Sequence, residues 1–146
     1  MSLESMYQEI ILDHYRNPLG RDAITDFDAE VHHVNPTCGD EIDLRVKVVD
    51  GRVVGLSHSG QGCSISQASA SVMWDLNHEL AVPDAFELIA KFLELMQSQG
   101  KAISDDESLG DAVAFSGVAQ FPARVKCALL SWMALKDALA QAMEAK

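Results

Sequence analysis

The chain has 146 residues, of which 48% are hydrophobic, and its 22 acidic and 11 basic side chains give a formal net charge of −11. This length fits a single domain, residues 1–146, and the hydrophobic content is too high for a disordered chain. The negative charge repels nucleic acid and anionic membranes, so the sequence predicts neither as a partner.

The first predicted element is an amphipathic helix at the N-terminus. Tyr7, Ile11 and His14 lie at helical spacing along one face of it. The pair Asn17-Pro18 ends this helix, because the residue before a proline is pushed out of the helical conformation.

The next segment predicts a three-stranded antiparallel meander. Apolar and polar side chains alternate over residues 27–31 and, strictly, over residues 42–48, which is the period of a half-buried strand. The pair Asp50-Gly51 predicts a hairpin turn, since both residue types tolerate positive φ. The return strand runs from Val53 towards His58.

The remaining chain predicts helices, because the hydrophobic period changes from 2 to about 3.6 residues. Pro83 and Pro122 each open a helix at its favoured first position. Gly100 ends the first of these two helices, the acidic stretch 104–111 predicts a loop, and one short helical turn is expected within 109–118. The order of helix, three strands and then helices predicts an α+β fold with the helices packed on one face of the sheet.

The three cysteines are an odd and small number, which is typical of reduced thiols rather than of a disulfide-bonded secreted domain. The sequence also lacks both a long apolar run and a basic leader followed by an apolar block, so a cytoplasmic protein is predicted. Each cysteine lies where an element begins or turns. Cys38 is at a loop tip, Cys63 follows Gly62 at a helix start, and Cys127 is in the first two turns of the last helix.

A metal site is one interpretation of these positions. Cys38 and Asp40 are two residues apart, and an extended chain would point both side chains to the same side. Helix N-termini, and Arg124 and Lys126 beside Cys127, favour thiolates over thiols. Three thiolates and one carboxylate at one end of the sheet supply the four ligands that zinc prefers. The other interpretation is a set of inert cysteines, since the chain has no Cys-x-x-Cys motif.

Four motifs together resemble the IscU-like iron–sulfur cluster assembly proteins, the family of the NifU N-terminal domain. In chain order they are Asp13 to Pro18, Asn35 to Asp40, Gly60 to Ser66, and Phe121 to Leu130. Within this family the chain is similar to the SufU type. Lys126 stands where the scaffold members have a histidine, and an additional segment of roughly residues 97–120 separates the second and third cysteines.

The resemblance implies a zinc-dependent sulfurtransferase that works with a cysteine desulfurase of the SufS type. Cys38 would accept persulfide sulfur for transfer to a downstream SUF cluster-assembly scaffold, with Arg124 supporting the site or the partner contact. Cys38, Asp40, Cys63 and Cys127 would bind zinc. Two alternatives remain: a scaffold that assembles and transfers a [2Fe–2S] cluster, and an adaptor with a purely structural zinc. Lys126 in place of histidine favours the sulfurtransferase.

Overall fold

The computed structural model describes residues 2–98 and 107–145. Its elements are a helix, three strands, two helices, a 3₁₀ segment and a last helix, in that order: α1 Leu3–Arg16, β1 Ala29–Asn35, β2 Asp40–Val49, β3 Arg52–Gln61, α2 Ser64–Asn77, α3 Val82–Gln97, the 3₁₀ segment Glu107–Gln120, and α4 Pro122–Glu144. This order confirms the predicted α+β fold. None of the helices in the described part of the chain combines the length and the apolar character needed to cross a bilayer.

The sheet is an antiparallel meander in the order β1-β2-β3. The predicted hairpin turn is confirmed, with φ of 51° at Asp50 and 75° at Gly51. The alternation predicted that the first strand begins at residue 27, but it begins at Ala29. The reason lies at Asp28, whose carboxylate accepts the Val48 backbone N–H at 2.7 Å and so replaces a ladder hydrogen bond at this end of the strand.

The helices cover one face of the sheet, as predicted. Helix α4 lies along β1 and β2, and α2 packs between α4 and β3. In the core, the Trp132 ring stacks on Phe92 with 4.3 Å between the centroids, and Phe115 meets Phe92 edge-on. All three rings are fully buried, so α3, α4 and the 3₁₀ segment are held together by one aromatic cluster.

The 3₁₀ segment is longer than the single helical turn predicted within 109–118. It includes residues 107–111 of the predicted acidic loop, whereas residues 104–106 and Gly100 lie outside the described part of the chain. The segment is interrupted at Gly110, where φ is 46° and a Cβ atom would come within 2.9 Å of Leu76. A 3₁₀ helix has three residues per turn, so a search for a period of 3.6 does not detect it.

A buried polar network joins α1 to α2 and the 3₁₀ segment. His14 Nδ1 lies 2.7 Å from Ser71 Oγ, and its Nε2 lies 2.9 Å from the Asp111 carboxylate. The carboxylate accepts the Nε2 proton, so Nδ1 accepts the proton of the Ser71 hydroxyl. Ser71 also accepts the Leu19 backbone N–H and is fully buried. This Ser-His-Asp arrangement is therefore structural, since no substrate reaches the hydroxyl.

His58 should make the stability of the fold depend on pH. Its Nε2 donates to the Leu19 carbonyl at 2.7 Å, and burial lowers the pKa of His58 from 6.5 to about 4, with a smaller contribution from Arg21. Below pH 6.5 the unfolded chain binds a proton at this position that the folded chain binds only near pH 4. The free energy of unfolding should therefore fall by up to about 3 kcal/mol between pH 6.5 and pH 4.

Denaturant unfolding of wild type and His58→Gln at several pH values between 4 and 7 measures this effect, because glutamine keeps a donor but does not titrate. The variant should lose less stability on acidification than the wild type. His32→Gln, which changes a half-exposed histidine on β1, is the control and should keep the wild-type pH dependence. Equal acid sensitivity of His58→Gln and wild type would show that His58 is not the group responsible.

Candidate metal centre

Three loops meet at one end of the sheet and bring the candidate ligands together. Cys38 lies in the turn 36–39 between β1 and β2 and is exposed. Asp40 is the first residue of β2 and is 1% exposed. Cys63 is the N-cap of α2, and Cys127 is buried in the second turn of α4. Residues far apart in the chain thus share one small volume.

The thiols and the carboxylate lie at the separations of a metal site. Cys127 Sγ is 3.2 Å from Cys38 Sγ, and ligand atoms of Cys38, Asp40 and Cys127 all lie within 4.8 Å of one another. Cys63 is outside this group of three, but its Sγ is 3.9 Å from Asp40 Oδ2. Zinc–sulfur bonds of about 2.3 Å in a tetrahedron place two sulfurs roughly 3.8 Å apart. The group of Cys38, Asp40 and Cys127 is therefore compact enough to hold a metal ion, and the thiol of Cys63 adjoins it.

Asp40 is held by the backbone at the start of α2. Its Oδ1 accepts the Cys63 backbone N–H at 2.8 Å and caps a helix that has no other side-chain cap. The chain between Cys38 and Asp40 is not extended, since Gly39 has a φ of 69°. It is the turn, rather than the alternation of an extended strand, that brings these two side chains together.

Gly62 makes room for the Asp40 carboxylate. A Cβ atom at Gly62 would lie 2.3 Å from Asp40 Oδ1 and 2.6 Å from Ser66 Oγ, and Gly62 has a φ of 155°. A side chain at this position must push the carboxylate away from the Cys63 N–H.

Gly62→Ala should therefore lower the free energy of unfolding by about 1–3 kcal/mol, the cost of overpacking and of an unpaired buried donor. Asp40→Asn keeps the oxygen acceptor and should lose less stability than Asp40→Ala. The control is Gly117→Ala, because a Cβ there has no atom within 4 Å. Urea unfolding compares the four variants; equal midpoints for Gly62→Ala and Gly117→Ala would contradict the steric argument.

The thiolate predicted at Cys127 is not favoured in the metal-free structure. Burial raises the pKa of the Cys127 thiol, and hydrogen bonds with Cys38, Asp40 and Cys63 raise it further. The prediction was wrong chiefly because the thiol is buried among other acidic groups. In addition, Cys127 lies beyond the first turn of α4, within which the field of the helix N-terminus falls off. A cation bound between these groups would reverse the effect, since a coordinated thiol loses its proton.

Asn35 belongs to the site, although the sequence had given it no role. This buried last residue of β1 pairs with Asp40 across the β1–β2 hairpin, and its Nδ2 is 3.9 Å from Cys127 Sγ. It is the only amide donor to the sulfur atoms among the described contacts. Its place as the first residue of the motif Asn35 to Asp40 was the one available signal.

Arg124 and Lys126 are exposed on the first turns of α4. The Arg124 guanidinium carbon is 5.9 Å from the Phe121 ring centroid, and no hydrogen bond or ion pair within residues 2–98 and 107–145 joins Arg124 to a candidate ligand. Arg124 also lines a groove of about 830 Å³ between α1 and the 3₁₀ segment, together with Ile11 and Ile65. Its position therefore suits contact with a partner better than support of the sulfur atoms.

The comparisons with known proteins all point to iron–sulfur cluster assembly proteins. Residues 6–128 match the family described as the NifU-like N-terminal domain. The zinc-dependent sulfurtransferase SufU of Bacillus subtilis is 41% identical over 96% of this chain and 93% of its own length. The iron–sulfur cluster assembly scaffold protein IscU of Streptococcus pyogenes is 35% identical over 99% of this chain and 89% of its own length. A solved structure from Fervidobacterium islandicum, described as a scaffold protein for the SUF system, superposes with a TM-score of 0.75 at 27% identity, over 94% of this chain and 99% of that one.

Proposed function

The chain belongs to the NifU-like N-terminal domain family and is an IscU-like, SufU-type protein of iron–sulfur cluster assembly, and from this premise we propose that it is a zinc-dependent sulfurtransferase. It accepts persulfide sulfur from a SufS-type cysteine desulfurase on Cys38 and passes the sulfur to a downstream SUF scaffold. We place this exchange in the cytoplasm, where thiols remain reduced.

The observation that carries the proposal is the contrast between Cys38 and the other candidate ligands. Cys38 is exposed on a turn, whereas Cys127 is 2% and Asp40 1% exposed. Cys63 is half-buried at the start of α2, and its backbone N–H is bonded to Asp40. Cys38 is therefore the most accessible thiol for a partner protein, while the other candidate ligands are held by the fold.

The proposed zinc ligands are Cys38, Asp40, Cys63 and Cys127. Zinc bound to them would keep the thiols deprotonated and has no redox activity of its own. Asp40 contributes Oδ2, because its Oδ1 is taken by the Cys63 N–H. Asn35 donates to Cys127 Sγ and so orients that thiol and disperses its charge.

The transfer step is thiol–disulfide exchange. The Cys38 thiolate attacks the outer sulfur of the desulfurase persulfide, a new S–S bond forms at Cys38, and the desulfurase cysteine leaves as a thiolate. No external oxidant or reductant is needed. Cys38 must turn outwards for this attack, which requires movement of the turn 36–39 alone. Arg124 and Lys126 supply positive charge on the exposed surface beside Cys127, where the acceptor loop meets its partner.

A second candidate function is that of a scaffold that assembles and transfers a [2Fe–2S] cluster. The similarity to IscU of Streptococcus pyogenes favours it, and the same cysteines are suitable cluster ligands. Against it, Lys126 cannot act as the histidine that the scaffold members have at this position. An adaptor with a purely structural zinc is the third candidate, since four protein ligands make a closed site.

Metal analysis with a desulfurase assay separates the three functions. Protein purified without added metal should be colourless, contain one zinc per chain, and raise the turnover of a SufS-type desulfurase. Iron with visible absorbance and less than half an equivalent of zinc would favour the scaffold. A full equivalent of zinc without any effect on desulfurase turnover would favour the adaptor.

A further inference from the structure

We propose that Cys38 and Cys127 are a redox pair, which closes into an intramolecular disulfide when the metal-free chain meets hydrogen peroxide. Cys63 stays a free thiol. The bond blocks the acceptor cysteine and removes two of the four candidate metal ligands in one step. The disulfide itself does not depend on the proposed function; only its effect on sulfur transfer does.

The geometry selects this pair. The two sulfurs are 3.2 Å apart, and a disulfide brings them to about 2 Å. Both also lie near the Ala123 carbonyl, at 3.9 Å from Cys38 Sγ and 3.6 Å from Cys127 Sγ. Cys63 also contacts Cys127, but it is outside the 4.8 Å group that contains Cys38 and Cys127, and its sulfur is 3.9 Å from Asp40 Oδ2.

The difference in exposure sets the order of the two steps. Peroxide reaches the exposed Cys38 but not the buried Cys127, and susceptibility to oxidation follows exposure. Cys38 transfers two electrons to hydrogen peroxide and becomes a sulfenic acid with release of one water. The Cys127 thiol then attacks the Cys38 sulfur, the S–O bond breaks, and the thiol proton passes to the departing hydroxyl, which leaves as a second water.

Closure needs movement on one side only. Cys127 lies within α4, whose helical hydrogen bonds hold it in place, whereas Cys38 lies in the turn 36–39. The Cys38 backbone N–H donates to the Asn35 carbonyl at 3.2 Å, and the contacts of its Sγ with Ala123 and Cys127 show that its side chain already points towards α4. The closed form keeps Asp40 and Cys63 as possible ligands, which is too few for a tetrahedral zinc site.

Peptide mapping of the zinc-stripped full chain tests the bond. The protein is treated with hydrogen peroxide, free thiols are alkylated, and the digest is analysed by mass spectrometry without reduction. We expect one linked peptide pair joining Cys38 to Cys127, with loss of two hydrogens, and an alkylated Cys63. Linkage through Cys63 in comparable amount, a Cys38–Cys38 dimer between chains, or sulfinic acid on Cys38 as the main product would each overturn the proposal.

Two variants strengthen the test. Cys63→Ser keeps both partners and should still form the bond. Cys127→Ser should accumulate sulfenic acid on Cys38, which dimedone traps. Circular dichroism identifies a misfolded Cys127→Ser, in which case the wild type and Cys63→Ser decide the question.

The consequences are measured separately from the bond. The oxidised chain should fail to bind one equivalent of added zinc and should take no sulfur from a desulfurase, and a dithiol should restore both. Full zinc binding by the oxidised chain would contradict the inference. If the reduced chain also takes no sulfur, the proposed sulfurtransferase function fails while the disulfide stands.

Discussion

Cys38→Ser should abolish persulfide formation on this chain and return desulfurase turnover to its level without the chain. Cys38 is the exposed thiol of the site, and serine lacks the sulfur that forms the new S–S bond. The metal-free variant should melt within a few degrees of the metal-free wild type, because substitutions at exposed positions change stability by roughly 0.5 kcal/mol or less. Activity is thus lost without loss of the fold.

Mass spectrometry after incubation with a cysteine desulfurase and cysteine locates the added sulfur residue by residue. The wild type should carry it on Cys38, and Thr37→Ala, which changes the neighbouring exposed side chain, should behave like the wild type. Sulfur on Cys63 or Cys127 in the wild type, or stimulation of the desulfurase by Cys38→Ser, would show that Cys38 is not the acceptor.

Removal of zinc should lower the melting temperature by roughly 8–16 °C. Free zinc at a thousand times its dissociation constant stabilises a folded site by about 4 kcal/mol, and each kcal/mol shifts the melting temperature of a chain of this size by roughly 2–4 °C. The candidate ligands join the β1–β2 turn, the start of α2 and α4. Loss of the ion therefore removes a link between three parts of the fold, and a chelator should reveal this in a thermal scan.

Cys127→Ala should reproduce the effect of the chelator in the absence of chelator. The matched control is Ser131→Ala, one turn further along α4. Ser131 is also buried, but its hydroxyl has no hydrogen-bond partner within the described part of the chain, so its removal should cost little. Zinc content and melting temperature are measured on both variants. A Cys127→Ala protein that keeps its zinc and melts like the wild type would show that Cys127 is not a metal ligand.

The elements that local patterns define were predicted well. The alternation over residues 42–48 predicts which side chains of β2 face the core. The residue types of Asp50-Gly51 predict the hairpin turn, since both adopt positive φ. Both features depend only on neighbours in sequence. The 3₁₀ segment was not predicted in full, because its helical pitch depends on packing against α3 and α1 rather than on a sequence period.

The sequence by itself determined the helix–meander–helix order, the placing of each cysteine at the start or turn of an element, and the family to which its motifs belong. Only the tertiary structure decided that Cys38 and Cys127 approach to 3.2 Å, and that the Asp40 carboxylate is held by the Cys63 N–H in the space left by Gly62. The first contact joins residues that are 89 positions apart in the chain, and the second joins residues that are 23 positions apart. Distances of this kind are set by how α2 and α4 pack on the sheet. The same packing buries Cys127 and raises the pKa of its thiol. No local sequence pattern encodes this packing.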